Sequence, residues 1–205
     1  MDQGSATTLG LIRTNNVSGG TNRQPVRWET SMLRPTLIAA TVAAAMVTGT
    51  ASAADVEKFH AVLSGFSEIP ALLSEGHGTL DLTLDRSAKT LTYTLTFSNL
   101  SAPVTQSHIH LGKVHVAGGV MVFFCTNLSN GPAGTPACPA SGGTVTGMLT
   151  AASVVGPTAQ NVTAGDFDAL EGALETNTAY ANIHTTAFPA GELRGEVRRA
   201  GRDGD

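Results

Sequence analysis

The sequence has 205 residues, with 12 Lys and Arg against 16 Asp and Glu, which gives a formal net charge of −4 at pH 7. Its basic residues form no patch or stripe, so nucleic acid is excluded as an expected partner. A chain of this length holds one or two domains.

The first 53 residues are predicted to lie outside any folded domain. Residues 1–31 are polar and lack periodicity, and we interpret them as a wrongly assigned extension or a disordered segment, with translation starting at Met32. Residues 32–53 combine a positive Arg34, an apolar run over 37–47 and small residues at 51–53, which is typical of a secretory signal peptide. A membrane anchor or a buried Ala-rich helix is the alternative.

Cleavage is expected after Ala53, with export by the general secretory route to the periplasm or the cell exterior. The apolar run is too short to span a bilayer as a mature helix, so we expect no stable membrane insertion after cleavage. Residues 54–199 are then predicted to form one domain, and residues 200–205 a disordered tail.

Alternating apolar and polar residues predict strands along most of this domain. The clearest are "TLDLTLD" (79–85) and "LTYTLTF" (91–97), which the short turn "DRSAK" joins as a hairpin. Further strands are predicted in "FHAVLSGF" (59–66), "VMVFF" (120–124), "TVTGML" (144–149), "AYANIHT" (179–185) and "ELRGEVR" (192–198).

One short helix is predicted in "TAGDFDALEGAL" (163–174). Phe167, Leu170 and Leu174 are at helical spacing, and Thr163 or Asp166 could cap the first turn. Seven or eight strands with one helix indicate an all-β antiparallel sandwich or barrel.

Cys125 and Cys138 are the two cysteines, and they enclose the Gly-, Pro- and Asn-rich loop "TNLSNGPAGTPA". In an oxidising compartment such a pair tends to form a disulfide. A two-thiolate metal site is the competing interpretation.

Five segments together resemble the CHRD domain, a module repeated in chordin and present singly in exported microbial proteins. They are "FHAVLSGFSEIP" (59–70), "GHGTLDLTL" (76–84), "LTYTLTFSNL" (91–100), "SHIHLG" (107–112) and "YANIHTTAFPAGELRGEV" (180–197). The resemblance implies a β-sandwich similar to an immunoglobulin domain. It implies little about activity, because fold alone does not fix function.

His108 and His110 alternate about Ile109, so their side chains share one face of a strand. His184 lies on the more polar face of "YANIHT", and the resemblance joins both motifs. If the two strands are neighbours, the three imidazoles form a Cu or Zn site that weakens as pH falls through roughly 6.5. The alternative is a solvated or hydrogen-bonded set of surface histidines. His77 and His115 are the candidate fourth ligands.

Exported Cu/Zn superoxide dismutases are similar in placing a His-x-His strand on a Greek-key sandwich. The expected fold is therefore a Greek-key sandwich or barrel, immunoglobulin-like or dismutase-like. Four further residues are expected to support the site or to close the sandwich through a charge-assisted network. These are Asn182, Glu192, Arg194 and Glu68. Gly191 and Gly195 are predicted to meet backbone requirements.

Two functions remain open at this point. One is a non-enzymatic exported module that binds an unidentified protein or envelope component, with structural histidines. The other is a periplasmic copper- or zinc-binding protein that uses His108, His110 and His184 and could be redox-active.

Overall fold

The computed structural model describes residues 24–26 and 55–201. The predicted signal peptide over 32–53 and the rest of the predicted extension over 1–31 lie outside the described residues, as do residues 202–205. Ala200, expected in the tail, donates its backbone N–H to the Lys58 carbonyl at 2.8 Å. Among the described residues, no helix has both the length and the apolar character needed to cross a membrane.

Each segment with alternating residues is a strand in the structure, and the described residues form nine strands and one α-helix. The last predicted strand is interrupted at Val197, which divides it in two. The elements are β1 (Val56–Ser64), β2 (His77–Asp85), β3 (Thr90–Ser98), β4 (Val104–Leu111), β5 (Gly119–Thr126), β6 (Gly143–Leu149), α1 (Phe167–Glu175), β7 (Ala179–Thr185), β8 (Leu193–Glu196) and β9 (Arg198–Arg199).

The strands form one sheet in the order β5-β4-β7-β8-β1-β2-β3-β6, and β9 pairs with β1. All of these pairings are antiparallel. The end strands β5 and β6 contact each other, and the Tyr93 hydroxyl of β3 donates to the Phe124 carbonyl of β5 at 2.7 Å. The predicted all-β antiparallel fold is confirmed, in its barrel form and nearly closed.

The barrel core follows from the alternation in β2 and β3. Leucine and aromatic side chains of both strands are buried, whereas most of the Asp and Thr side chains between them reach solvent. Burying a leucine side chain stabilises the fold by about 1.5–3 kcal/mol, so this hairpin contributes a large share of the core. The buried residues are Leu80, Leu82, Leu84, Leu91, Tyr93, Leu95 and Phe97.

Helix α1 begins after Asp166, whose carboxylate accepts a hydrogen bond from the Ala169 backbone N–H at 3.0 Å. This confirms Asp166, rather than Thr163, as the residue that caps the helix. Phe167, Leu170 and Leu174 are buried, so the predicted apolar face of the helix packs into the core.

The two cysteines form the Cys125–Cys138 disulfide, and neither thiol is free. The metal-thiolate interpretation is therefore wrong. The bridge ties β5 to the segment that leads into β6, where the barrel is nearly closed.

Replacing both Cys125 and Cys138 by alanine is expected to lower the free energy of unfolding by about 3 kcal/mol, because the open chain regains the entropy of the bridged loop. Guanidinium unfolding of the variant and of the oxidised wild type measures the difference. Equal midpoints would contradict the expectation. Wild-type protein treated with a reductant is the matched control and should behave like the variant.

Candidate metal centre

Strands β4 and β7 are neighbours, as the predicted site requires. Their antiparallel register pairs Gln106 with His184, His108 with Asn182 and His110 with Tyr180. On the other side of β4, its pairing with β5 shifts register next to His108 and again before His110. Such bulges re-aim side chains and are common beside functional sites.

The histidines lie on the outer face of the barrel, because Ile109 and Ile183, which alternate with them, are in the core. We expected this face to be polar. It is also covered, and His108, His110 and His184 are only 2%, 7% and 6% exposed. Carbonyls from residues 113–118 and from residue 189 reach side chains of this face, and a carboxylate from residue 68 does so too. The histidines are therefore not solvated, whereas the alternative of a hydrogen-bonded structural set stays open.

The three imidazoles converge. Ring centroids are 5.3 Å apart for His108 and His110, 5.0 Å for His108 and His184, and 6.0 Å for His110 and His184. One nitrogen from each ring lies within 4.8 Å of the others. Metal–nitrogen bonds of 2.0–2.1 Å would set these separations at about 3.3–3.6 Å, so a separation of 4.8 Å would have to shorten by about 1.2–1.5 Å to close the cluster around an ion.

Backbone carbonyls fix two of the three tautomers. His110 Nδ1 is 3.0 Å from the Gly118 carbonyl, and His184 Nδ1 is 2.9 Å from the Pro189 carbonyl. A carbonyl oxygen only accepts, so both Nδ1 atoms donate, and each neutral ring keeps its lone pair on Nε2. This is the arrangement that orients histidine ligands around a metal.

The tautomer of His108 follows from its contact with His184. Its Nδ1 lies 3.2 Å from His184 Nε2, which is an acceptor because the His184 proton is on Nδ1. His108 therefore donates from Nδ1 and keeps its lone pair on Nε2, and an ion that takes the His184 lone pair would replace this hydrogen bond. Within the described part of the chain, the buried Nε2 atoms of His108 and His110 have no hydrogen-bond partner.

Aromatic side chains hold two of the rings in place. Phe123 packs edge-on against His108 at 4.3 Å between centroids. Tyr180 stacks on His110 at 4.9 Å with an interplanar angle of 5°, and the Arg194 guanidinium lies 3.4 Å from the Tyr180 centroid. Neither aromatic contact was predicted from the sequence, although Tyr180 shares a strand face with His184.

Arg194 packs against Tyr180, the ring that stacks on His110. Its Nε and Nη2 donate to Glu196 Oε1 at 3.2 and 2.9 Å, and Nη2 also donates to the Lys113 and Val116 carbonyls at 3.2 Å. Arg194 does donate to a carboxylate as expected, but the acceptor is Glu196. The alternation of Arg194 and Glu196 along β8 was a signal that could have identified this pair.

The remaining polar residues form hydrogen bonds around the site, but among the described residues none of these bonds goes to the three histidine rings. Asn182 Nδ2 donates to Glu68 Oε1 at 2.5 Å and to the Leu193 carbonyl at 2.7 Å. A Cβ on Gly191, where φ is +138°, would lie 2.5 Å from the same carboxylate oxygen, and a Cβ on Gly195 would lie 2.4 Å from the Val62 carbonyl. The predicted backbone requirement at both glycines is confirmed.

Glu192 belongs to a separate network. Its buried carboxylate accepts from the Ser74 hydroxyl, from the N–H and hydroxyl of Ser101, and from the Thr185 hydroxyl at 2.7–2.9 Å. Burial alone would raise the pKa of Glu192, but these hydrogen bonds outweigh it and the pKa is lowered. Glu192 therefore joins β7 to two loops and does not pair with Arg194.

The other histidines lie outside the cluster. His77 begins β2, rather than lying in a loop, and its Nε2 is 2.9 Å from the Ser98 hydroxyl. His115 lies in an exposed loop, and His60 is 2.9 Å from Asp81. Neither His77 nor His115 is a fourth member of the group that the described residues form.

The cluster is neutral at physiological pH. Burial lowers the pKa of His108 to about 2, with smaller contributions from His184 and His110. Burial also lowers the pKa of His110 to about 4, against the hydrogen bond to Gly118 and assisted by His184 and Arg194. The pKa of His184 is lowered by burial as well. Neutral imidazole is the form that binds metals. Protons therefore compete with a metal ion for these nitrogens only well below pH 6.5.

The fold and the site define an antiparallel β-barrel domain with a buried three-histidine cluster under a covering of loops. The CHRD domain family model matches residues 59–197, from β1 to the residue before β9. The chain belongs to the CHRD domain family. No curated protein and no solved structure is similar enough to match it.

Proposed function

We propose that this domain is a non-enzymatic binding module that holds one copper or zinc ion with His108, His110 and His184. The buried Nε2 atoms of His108 and His110, which have no hydrogen-bond partner among the described residues, carry this proposal. An unsatisfied buried nitrogen costs about 1–3 kcal/mol, so a purely structural cluster is expected to pair these atoms. A copper or zinc ion is a partner that suits imidazole nitrogen.

The positioning of the rings supports the same proposal. Two rings are oriented by carbonyl acceptors, and His110 is also fixed by the stacked Tyr180. A preoriented set of ligands loses little conformational freedom when an ion binds. This role assigns the ion, rather than a protein or envelope component, as the binding partner. Redox turnover is the alternative activity of such a site, but the buried nitrogens offer a substrate little access.

Export to the periplasm or cell exterior is part of the proposal. The Cys125–Cys138 disulfide supports it, since such bridges persist in oxidising compartments. The signal peptide predicted over residues 32–53 supplies the route.

Calorimetric titration of chelator-treated protein with Zn²⁺ and Cu²⁺ tests the proposal. We expect one ion per chain. Replacing His108, His110 or His184 singly by glutamine is expected to weaken binding at least ~100-fold, the upper end of the loss for a supporting outer-shell partner. Glutamine keeps much of the side-chain volume, and circular dichroism checks that each variant folds.

His60→Ala is the matched control, because His60 lies beside Asp81 and outside the cluster. Its affinity should equal that of the wild type. No binding to the wild type, or equal affinity in the wild type and the triple glutamine variant, would show that the cluster is structural.

A further inference from the structure

We propose that the three-histidine cluster selects monovalent copper, Cu(I), over zinc and divalent copper. This inference rests on the proposed function, because it names the ion that the same site holds. Ligand type alone does not decide the ion, since imidazole suits both zinc and copper. The choice of ion is decided by the number of ligands, the charge around them and their burial.

The ligand count is the first argument. The described residues bring three nitrogen ligands together, and His77 and His115 do not join them. Protein-bound zinc almost always takes four ligands in a tetrahedron, and divalent copper favours a tetragonal arrangement. Cu(I) and Zn²⁺ both have filled d shells that impose no preferred geometry, but Cu(I) carries a lower charge and is satisfied by three nitrogen donors without a fourth ligand. Three imidazoles that converge without a fourth protein ligand therefore fit Cu(I).

Charge is the second argument. Three neutral imidazoles leave the full charge of the ion uncompensated, and the cost of burying an ion grows with the square of its charge. A divalent ion then costs about four times as much desolvation energy as a monovalent ion at the same depth. This desolvation penalty disfavours the binding of Zn²⁺ and Cu²⁺ relative to Cu(I).

The surroundings do not supply the missing negative charge. No carboxylate oxygen among the described residues forms a hydrogen bond with any of the three rings. The nearby carboxylates are engaged elsewhere, Glu196 with Arg194 and Glu68 with Asn182. The Arg194 cation, behind Tyr180, adds positive potential. All three features disfavour a second positive charge on the ion.

The covering of the site is the third argument. The Nε2 atoms of His108 and His110 are buried, so water has little access as a fourth ligand. Phe123 and Tyr180 pack against His108 and His110. A water-bound divalent ion would have to open this packing, whereas a three-coordinate Cu(I) ion would not.

Parallel titrations of the full domain test the inference. Under anaerobic conditions with ascorbate, the protein competes for Cu(I) with a chromophoric Cu(I) chelator, and separate samples are titrated with Zn²⁺ and Cu²⁺. We expect one Cu(I) per chain, bound at least ~100-fold more tightly than Zn²⁺ or Cu²⁺. His110→Gln should lose this affinity, and His60→Ala should keep it.

The outcomes separate the two proposals. Tighter binding of Zn²⁺ or Cu²⁺ than of Cu(I), or affinities within tenfold of one another, overturns the choice of Cu(I) and leaves the metal-binding function intact. Failure of all three ions to bind overturns both. Equal Cu(I) affinity in the wild type and in His110→Gln also overturns both, because the ion then lies elsewhere.

Discussion

Replacing Arg194 by methionine is expected to lower the free energy of unfolding by about 3–5 kcal/mol, the range for breaking a buried charge pair. The Arg194 side chain is only 2% exposed. Its guanidinium donates to Glu196 and to the Lys113 and Val116 carbonyls, and it lies over the Tyr180 ring. Methionine fills part of the volume but donates no hydrogen bond. Glu196, whose side chain is 18% exposed, would keep a poorly solvated charge. Urea unfolding at pH 7, followed by circular dichroism, measures the loss.

A double-mutant cycle with Glu196→Gln identifies the cause. If the penalty comes from the uncompensated carboxylate, the Arg194→Met and Glu196→Gln double variant should be more stable than Arg194→Met alone. A loss below about 1 kcal/mol in Arg194→Met would place the pair among ordinary surface ion pairs. That result would contradict the role assigned to Arg194.

The strands could be predicted from the sequence because their pattern is local. The alternation in β2 and β3 places each leucine inside and each Asp or Thr outside, and the register of the hairpin follows from its short turn. The last strand was predicted as one segment because alternation does not show where pairing changes. The structure pairs β8 with both β7 and β1, whereas β9 pairs with β1, and Val197 lies between β8 and β9.

The histidine cluster was only partly predictable. Alternation places His108 and His110 on one face and His184 on the polar face of its strand, but only the fold brings the two strands together. The burial of this face depends on how the segments after β4 and β7 and the segment around Glu68 fold over it, which alternation along a strand does not show. The Gly118 and Pro189 carbonyls that fix the tautomers belong to backbone groups, which every residue carries, so side-chain identity gave no signal for them.

Burial changes the pH behaviour expected from the sequence. The free energy of unfolding of the metal-free protein is expected to fall by about 4 kcal/mol between pH 7 and pH 5. Burial holds the pKa of His108 at about 2 and that of His110 at about 4, whereas unfolded histidines titrate near 6.5. The unfolded chain therefore takes up protons first, and stability is lost as pH falls through 6.5. Each of these two residues contributes about 2 kcal/mol over this interval.

The neighbouring charges modify this result without reversing it. The pKa of His184 is also lowered by burial and adds to the loss. Glu68 acts in the opposite direction, because burial raises its pKa and the folded state gains a proton there as pH falls towards 4.5. The Arg194 guanidinium lowers the pKa of His110 and so disfavours a positive charge on that ring. One opposing carboxyl group is outweighed by three histidines.

Chemical unfolding at pH 7, 6 and 5 in the presence of a chelator measures this dependence. His110→Gln should lose about 2 kcal/mol of the change between pH 7 and pH 5, because glutamine does not titrate. His115→Gln, in the exposed loop, is the matched control and should keep the wild-type dependence. A wild-type free energy that stays constant over this range would show that the cluster takes up protons in the folded state. The same histidines would then be too accessible to protons to hold a metal ion below pH 6.5, so the result bears on the site as well as on stability.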